Sequence, residues 1–268
     1  MPGSAGLVLA GGRSSRMGTA KASLEWHGST LLWRTVRILE RATGGPVVVA
    51  RAAGQALPVL PPGTEVVDDP RSGLGPLQGI AAGLWALSGR AEMAFVASTD
   101  LPFLHPAFVS RVLRAVQEGA DVGLPVARGF RQPLAAAYRT SLASVADRLV
   151  RAGLVKPAFL FDECDVAFLD EAALRADPQI AAVDPDLDSV VNVNEPADYE
   201  AARARQGPEV TVAGSRHGQR VRAATLAEAA TAVGLAADQA VTAVLNGELT
   251  TADAQMPLVA GDVVAFRA

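Results

Sequence analysis

The stretch Leu7-Val8-Leu9-Ala10-Gly11-Gly12-Arg13-Ser14-Ser15-Arg16-Met17-Gly18-Thr19-Ala20-Lys21 decides how the rest of the chain is read. The apolar run from Gly6 to Ala10 reads as a short buried strand. It breaks into a loop holding glycines, serines, arginines and a lysine, which is the composition of a phosphate loop. Glycines let the main chain come close to an anion, so that several N–H groups can point at one oxygen cluster. Arg16 and Lys21 add full positive charges where phosphates would sit. The loop lacks the Gly-Lys-Ser/Thr ending of P-loop ATPases, and Gly11-Gly12 followed by Gly18 does not fit the dinucleotide-binding fingerprint. A glycine-rich turn with solvated arginines is the plainer alternative. Lysine usage weighs against it: of 24 Lys plus Arg, lysine stands only at Lys21 and Lys156, so Lys21 marks a place that wants a compact ammonium.

A chain of 268 residues, half of them hydrophobic, suits one large α/β domain and a smaller one. A formal net charge of −4 argues against a nucleic-acid surface and for a small-molecule substrate. The single cysteine, Cys164, rules out an internal disulfide, fits a reducing cytoplasm and reads as structural. The N-terminal apolar run is too short to span a membrane and has no basic leader, so a cytoplasmic protein free of membrane is expected.

Downstream of the loop, Ser29 or Thr30 caps a helix with Leu31, Leu32, Val36 and Leu39 on one face, stopped by Gly44-Gly45. Pro46 to Ala50 is a second buried strand. Strand, helix, strand demands a right-handed crossover and a parallel pair, so the loop lies at the carboxyl end of the first strand, where open α/β sheets bind ligands. Glu65 to Asp69 is a strand ending in two carboxylates, and a glycine-rich turn leads to a helix from Leu77 to Leu87. Within Met93 to Phe103 a β-rich run delivers Asp100 to a strand end and Pro102 terminates the strand, and Pro106 to Glu118 is an amphipathic helix. Asp121 to Val126 and Leu134 to Arg139 are further strands around the turn Arg128 to Pro133. Val190-Val191-Asn192-Val193-Asn194 alternates, so as a strand it places Asn192 and Asn194 on one face, although Asn194 before Glu195-Pro196 can equally cap a helix.

The residues Leu9-Ala10-Gly11-Gly12, Ser14, Arg16-Met17-Gly18 and Lys21 resemble the loop of the nucleotidyltransferase family that contains molybdenum cofactor guanylyltransferase, MobA. The segments Asp69 with Gly75-Pro76-Leu77, Asp100-Leu101-Pro102, and Asn192-Val193-Asn194-Glu195-Pro196 extend the resemblance. It implies a Rossmann-like nucleotidyltransferase with a mostly parallel sheet over residues 1 to 206. The implied reaction transfers GMP from GTP to molybdopterin cofactor with release of pyrophosphate. It further implies Lys21, Arg16 and Asp100 as catalytic, and Leu9, Ala10, Gly11, Gly12, Lys21, Asp69, Gly75 and Asp100 as nucleotide-binding. Arg131, Gln132, Lys156, Asn192 and Asn194 would face the acceptor, and Asp100 would hold Mg²⁺, a hard cation that shares substrate phosphates. The sequence departs from the pattern at Ala20, where the family usually has aspartate, and at Ala50, where it often has asparagine. Two other readings stand beside this one. A cytidylyltransferase of the same cofactor is disfavoured by the Gly11-Gly12 pair. A catalytically weak scaffold that holds nucleotide or molybdopterin is motivated by Ala20 and Ala50.

After Gln206-Gly207-Pro208 the character changes. Val210 to Val212 and Gln219 to Ala223 read as strands, and Thr225 caps a helix. Val241 to Leu245 runs into an Asn246-Gly247 turn, and Leu258 to Phe266 closes the sheet. Residues 209 to 268 resemble the ThiS/MoaD sulfur carriers, which implies a small α+β, β-grasp domain. Those carriers end in Gly-Gly, whereas Phe266-Arg267-Ala268 stands here, so a docking, regulatory or stabilising module is expected rather than a sulfur carrier. The partners it would dock are other molybdenum cofactor biosynthesis proteins or molybdoenzymes.

Overall fold

The structure is a computed structural model, and it describes residues 3–11, 21–69, 73, 75–214, 218–235, 242–250 and 253–267. The elements run β1 (Ser4–Leu9), β2 (Glu25–Trp26), β3 (Ser29–Thr30), α1 (Leu31–Thr43), β4 (Val47–Ala52), β5 (Glu65–Asp69), α2 (Pro76–Leu87) and β6 (Met93–Ser98). They continue with α3 (Pro106–Gln117), β7 (Val122–Ala127), β8 (Phe130–Arg131), β9 (Ala135–Arg139), α4 (Ala143–Arg151), α5 (Pro157–Phe161) and β10 (Val166–Asp170). Three helices follow: α6 (Glu171–Arg175), α7 (Pro178–Val183) and α8 (Pro196–Arg203). The last elements are β11 (Glu209–Val212), β12 (Gln219–Arg222), α9 (Leu226–Ala232), β13 (Thr242–Leu245), β14 (Glu248–Thr250) and β15 (Val263–Arg267).

The chain divides into two compact units, one of residues 1–24 and 30–198, the other of residues 25–29 and 199–268. In the first, the strand order is β10-β7-β9-β6-β1-β4-β5 with β8 beside β7. Strand β1 is central, parallel to β4 on one side and to β6 on the other. Strand β9 runs antiparallel to both β6 and β7, so the sheet is mixed. Helix α1 begins where the hydroxyl of Thr30 accepts the Trp33 N–H at 3.1 Å. It ends where Gly44, at φ 66°, donates to the Glu40 carbonyl.

Alternate β1 residues look to opposite faces, and the helices on those faces come unusually close. A Cβ on Gly6 would meet Leu39 of α1 at 2.8 Å, and one on Gly83 of α2 would meet the Leu7 side chain at 2.2 Å. Leu7, Leu9, Val48 and Ala50 pack with Leu77, Ile80 and Leu84 of α2 and with Ala146 and Leu149 of α4, which makes the core under the sheet's carboxyl edge.

The second unit has a five-stranded sheet in the order β12-β11-β15-β13-β14, with β11 and β15 parallel and its other pairings antiparallel. Thr225 caps α9 by accepting from the Glu228 N–H. The β13–β14 turn uses Asn246 at φ 53° and Gly247 at φ 91°, the pair of left-handed residues that a tight hairpin needs. Val210, Val212, Leu226, Ala229, Leu245, Leu258 and Val264 form its core. The five-residue segment 25–29 is part of this unit: Tyr199 donates to the Glu25 carbonyl at 2.6 Å, Gln255 to the Gly28 carbonyl at 2.8 Å, and His27 Nδ1 lies 3.2 Å from Glu228 Oε1.

Two local expectations are corrected, and one strand lies where none was expected. Residues 191–194 are not a strand; they follow a short turn of 3-10 helix at Asp188–Val190 and run irregularly to α8. The last strand begins at Val263 rather than Leu258, because Asp262 turns its carboxylate back onto the Val259 N–H. Strand β10 has no counterpart in the sequence reading; it lies at the sheet edge with Phe168 half exposed.

Two expected outcomes follow from this packing. Gly83→Ala gains about 1 kcal/mol of helix propensity. It also drives a methyl into Leu7, which is fully buried and has nowhere to go, at a cost of about 2–3 kcal/mol. Thermal unfolding of the variant should therefore fall by roughly 2–8 °C. Cys164 is half-buried and its thiol approaches the Leu160 carbonyl at 3.2 Å. Burial first, then the carboxylates of Asp121, Asp165 and Glu163, pushes the thiol up to about 11. Alkylation of Cys164 at pH 8 should run roughly 100-fold slower than that of an exposed thiol and accelerate toward pH 11.

Candidate active site

A cavity of about 620 Å³ opens at the carboxyl ends of β1, β4, β5 and β6. Its walls are Leu9, Ala10 and Gly11 from the end of β1, Ala50, Arg51, Ala52 and Gln55 from β4 and its exit, and Asp69 from β5. Gly73, Gly75, Pro76 and Gly79 line it at the start of α2, and Ser98, Thr99, Asp100, Lys21 and Leu134 complete it. Parallel strands that end together, with helices starting beside them, leave backbone N–H groups and side chains converging on one cleft.

Its charged centre is Lys21. The ammonium lies 2.9 Å from Asp100 Oδ2 and 2.7 Å from Asn194 Oδ1, drawing together three residues that stand far apart in the chain. The second carboxylate oxygen of Asp100 accepts a short hydrogen bond from the Ser98 hydroxyl. Asp100 stands just beyond β6, and its carbonyl accepts the Val193 N–H at 3.0 Å, which docks the 191–194 segment against it. Asp198 takes the N–H groups of Asn194 and Glu195 on one carboxylate oxygen, so Asn194 is not needed as a helix cap and its amide oxygen is directed to Lys21.

At the other end of the cavity, Gly75 begins α2 at φ 110°, and a Cβ there would stand 2.8 Å from the Val155 carbonyl, which accepts the Leu77 N–H at 3.3 Å. Only glycine fits that corner. Asp69 lines the cavity beside it, half-buried. Ala50 presents only a methyl group there, while Arg51 is held by Asp68 at 2.7 Å.

The residues singled out from sequence separate into two groups. Leu9, Ala10, Gly11, Lys21, Asp69, Gly75 and Asp100 line one cavity, and Asn194 bonds the lysine within it. Arg131, Gln132, Lys156 and Asn192 do not line it. The Arg131 guanidinium lies over the Phe168 ring at 5.0 Å, and Gln132 donates to the Ala127 carbonyl inside its own turn. Lys156 is exposed one residue after Val155, and Asn192 turns back to the Val190 carbonyl. Gly12, Arg16 and Ala20 lie outside the described residues. Ser98, Thr99, Arg51, Gln55 and Leu134 were not anticipated. Ser98 and Thr99 had a signal, since both immediately precede Asp100 at a strand end; Gln55 had none.

Among the described residues no group of three or more His, Cys, Asp or Glu comes together. The oxygens at the charged centre, one carboxylate, an amide oxygen and a hydroxyl, are hard donors of the kind magnesium takes alongside substrate phosphates and water, and here the carboxylate and amide oxygens hold the Lys21 ammonium. No helix among the described residues is long and apolar enough to cross a membrane.

Comparison with known proteins covers this same region. The family model described as MobA-like NTP transferase domain matches residues 6–159. A probable molybdenum cofactor guanylyltransferase of Mycobacterium tuberculosis H37Rv is 44% identical over 165 residues, 60% of this chain and 80% of that one. Its namesake in Opitutus terrae is 40% identical over 150 residues, 56% of this chain and 73% of that one. The crystal structure of molybdopterin-guanine dinucleotide biosynthesis protein A from Archaeoglobus fulgidus superposes with a TM-score of 0.57 at 23% identity, over 74% of this chain and 96% of that one, a likeness of fold. Since the matched segment runs from β1 into α5 and takes in Lys21, Asp69, Gly75 and Asp100, the chain belongs to the family of MobA-like NTP transferase domains.

Proposed function

We infer that this protein transfers GMP from GTP to molybdopterin cofactor and releases pyrophosphate. The observation that carries this reading is the meeting of Lys21, Asp100 and Asn194 at the cavity just past the end of β1, in a chain 40–44% identical over 150–165 residues to probable guanylyltransferases of that cofactor. In the reaction, a terminal phosphate oxygen of the acceptor forms a bond to the α-phosphorus of GTP. The bond from that phosphorus to the α–β bridging oxygen breaks, and its electron pair leaves on pyrophosphate. No protein nucleophile is required, so catalysis reduces to alignment and charge stabilisation.

The residues divide that work. The Gly11 backbone offers close approach to a phosphate. Lys21 supplies positive charge against the phosphate oxygens as negative charge builds on the leaving group, and Asn194 and Asp100 hold the ammonium in place for it. Asp69 and Gly75, which line the same cavity, are assigned to the nucleoside. Asp100 would hold Mg²⁺ with help from neighbouring oxygens; when bound, the ion would neutralise phosphate charge. Arg16 would add a second cation to the triphosphate. Arg131, Gln132, Lys156 and Asn192 are assigned to the acceptor by resemblance alone, and the protein is read as cytoplasmic.

We read the second unit as a β-grasp domain of the ThiS/MoaD type, spanning about 209–268. A strand order of β12-β11-β15-β13-β14, with the first and last strands parallel at the middle and α9 sharing the core with the strands, supports that reading. Its proposed role is to dock proteins that make or receive molybdenum cofactor.

Transfer of α-labelled GTP onto molybdopterin in the presence of Mg²⁺ tests the activity. Label should move from GTP in preference to CTP or ATP, and Asp100→Ala should abolish the transfer; transfer from CTP alone would replace guanylyl by cytidylyl chemistry. Lys21→Met should lower kcat by about 10²–10³. Asn194→Ala should lower it by about tenfold, since it removes one hydrogen bond to the charged group.

A further inference from the structure

The hydrogen-bond ladder between β1 and β4 is interrupted at the cavity. It is a parallel ladder, in which Gly6 N–H donates to the Pro46 carbonyl and Ala10 N–H to the Ala50 carbonyl at 2.8 Å. The bond due next in that pattern runs from Ala52 N–H to the Ala10 carbonyl. It is replaced by a side chain. Ala52 N–H donates to Gln55 Oε1 at 3.1 Å, and Gln55 Nε2 donates to the Ala10 carbonyl at 2.9 Å. The carboxamide stands in for a peptide unit placed between the two strands.

We propose that Gln55 is a positioning residue for the nucleotide, its carboxamide keeping β1 and β4 apart at the cavity mouth and fixing the backbone path at Ala10–Gly11. The turn that carries it is braced. Gln55 N–H donates to the Ala52 carbonyl at 2.9 Å, and the Gln55 carbonyl accepts from Arg51 Nη1, also at 2.9 Å. Arg51 is held in turn by Asp68 at 2.7 Å. Gln55 is half-buried and lines the same cavity as Lys21 and Asp100. The fit on the loop side is tight, because a Cβ on Gly11 would stand 3.2 Å from the Ala52 nitrogen. Removing the carboxamide lets Ala52 N–H reach the Ala10 carbonyl directly. The ladder then gains its missing bond while the cavity narrows, so stability and nucleotide affinity move apart. A residue that merely supported the fold would lose both together.

The inference rests on the nucleotide occupying this cavity, and the test keeps the two apart. Equilibrium binding of GTP without acceptor, followed by steady-state transfer, is measured for wild type, Gln55→Ala and Gln55→Glu. In Gln55→Ala the Kd and KM for GTP should rise roughly tenfold. Its kcat should stay within about twofold, and its Tm should hold or rise, as one direct backbone bond replaces two through a side chain. Gln55→Glu keeps the acceptor for Ala52 but sets a carboxylate against the Ala10 carbonyl, so its Kd should be the weakest and recover as the pH is lowered and the acid becomes a donor. Unchanged GTP affinity in Gln55→Ala overturns the proposal, as does a loss of affinity accompanied by a falling Tm and kcat. Wild type that binds GTP but transfers no label leaves the binding comparison decisive and sinks only the transferase reading; wild type that binds no GTP overturns both.

Discussion

The contact on which the site depends is the ammonium of Lys21 held between Asp100 and Asn194. Three chain segments come to one point there: the residue that follows the glycine loop, the second residue past β6, and the second residue before α8. Lys21 and Asp100 are both mostly shielded, at 22% and 15% side-chain exposure, so their mutual attraction is less screened than that of a surface pair. An ammonium so held stays where a polyphosphate can meet it. The same shielding makes each partner dependent on the other, because either alone would be a partly buried charge without compensation.

The sheet brings this about through strand direction. Strands β4, β1 and β6 are parallel neighbours, so their carboxyl ends open on the same side. The main chain there can be approached closely because small residues stand at the contacts: Ala10 and Gly11 just past β1, Ala50 on β4, and Gly75 and Gly79 at the start of α2. The reversed strand β9 does not spoil this edge, since it lies beyond β6 and returns Leu134 to the cavity wall, where the Leu134 carbonyl accepts the Ser98 N–H at 3.0 Å.

Much of this architecture was legible because local chemistry and tertiary packing agree. Thr30 and Gly44 bound α1, Thr225 caps α9, and Asn246-Gly247 turns the β13–β14 hairpin, each as its side chain or backbone freedom requires. Asp100 could be named because a strand end delivers it as a lone carboxylate, and Asp69 and Gly75 because their segment resembles that of a known family. The stretch from Val190 to Asn194 misled for a physical reason. Its alternation mimics a strand, yet Val193 is drawn into the core and its N–H goes to the Asp100 carbonyl rather than to a ladder. Strand β10 was passed over because it is an edge strand, where alternation and burial are both weak. The allotment of residues 25–29 to the second unit rests on partners such as Tyr199, Glu228 and Gln255, about 200 residues away in the chain, and no local pattern carries that.

The alanine at position 50 is the departure from the family pattern whose surroundings can be followed through. Its Cβ faces α2, where a Cβ added to Gly79 would lie 4.0 Å from it, so the strand and the helix meet there through small apolar groups. An amide at this position would gain hydrogen bonds to a base only by filling space that the cavity now leaves open. With a methyl group there, the polar side chains along that wall are Arg51 and Gln55 from the exit of β4 and Asp69 from β5. Arg51 and Gln55 are tied into backbone and carboxylate contacts of their own. On the proposed function, selectivity among bases at this wall would fall to the shape of the cavity and to groups held rigidly in place, and the loss of one direct hydrogen-bonding side chain would make the positions of the remaining backbone more consequential.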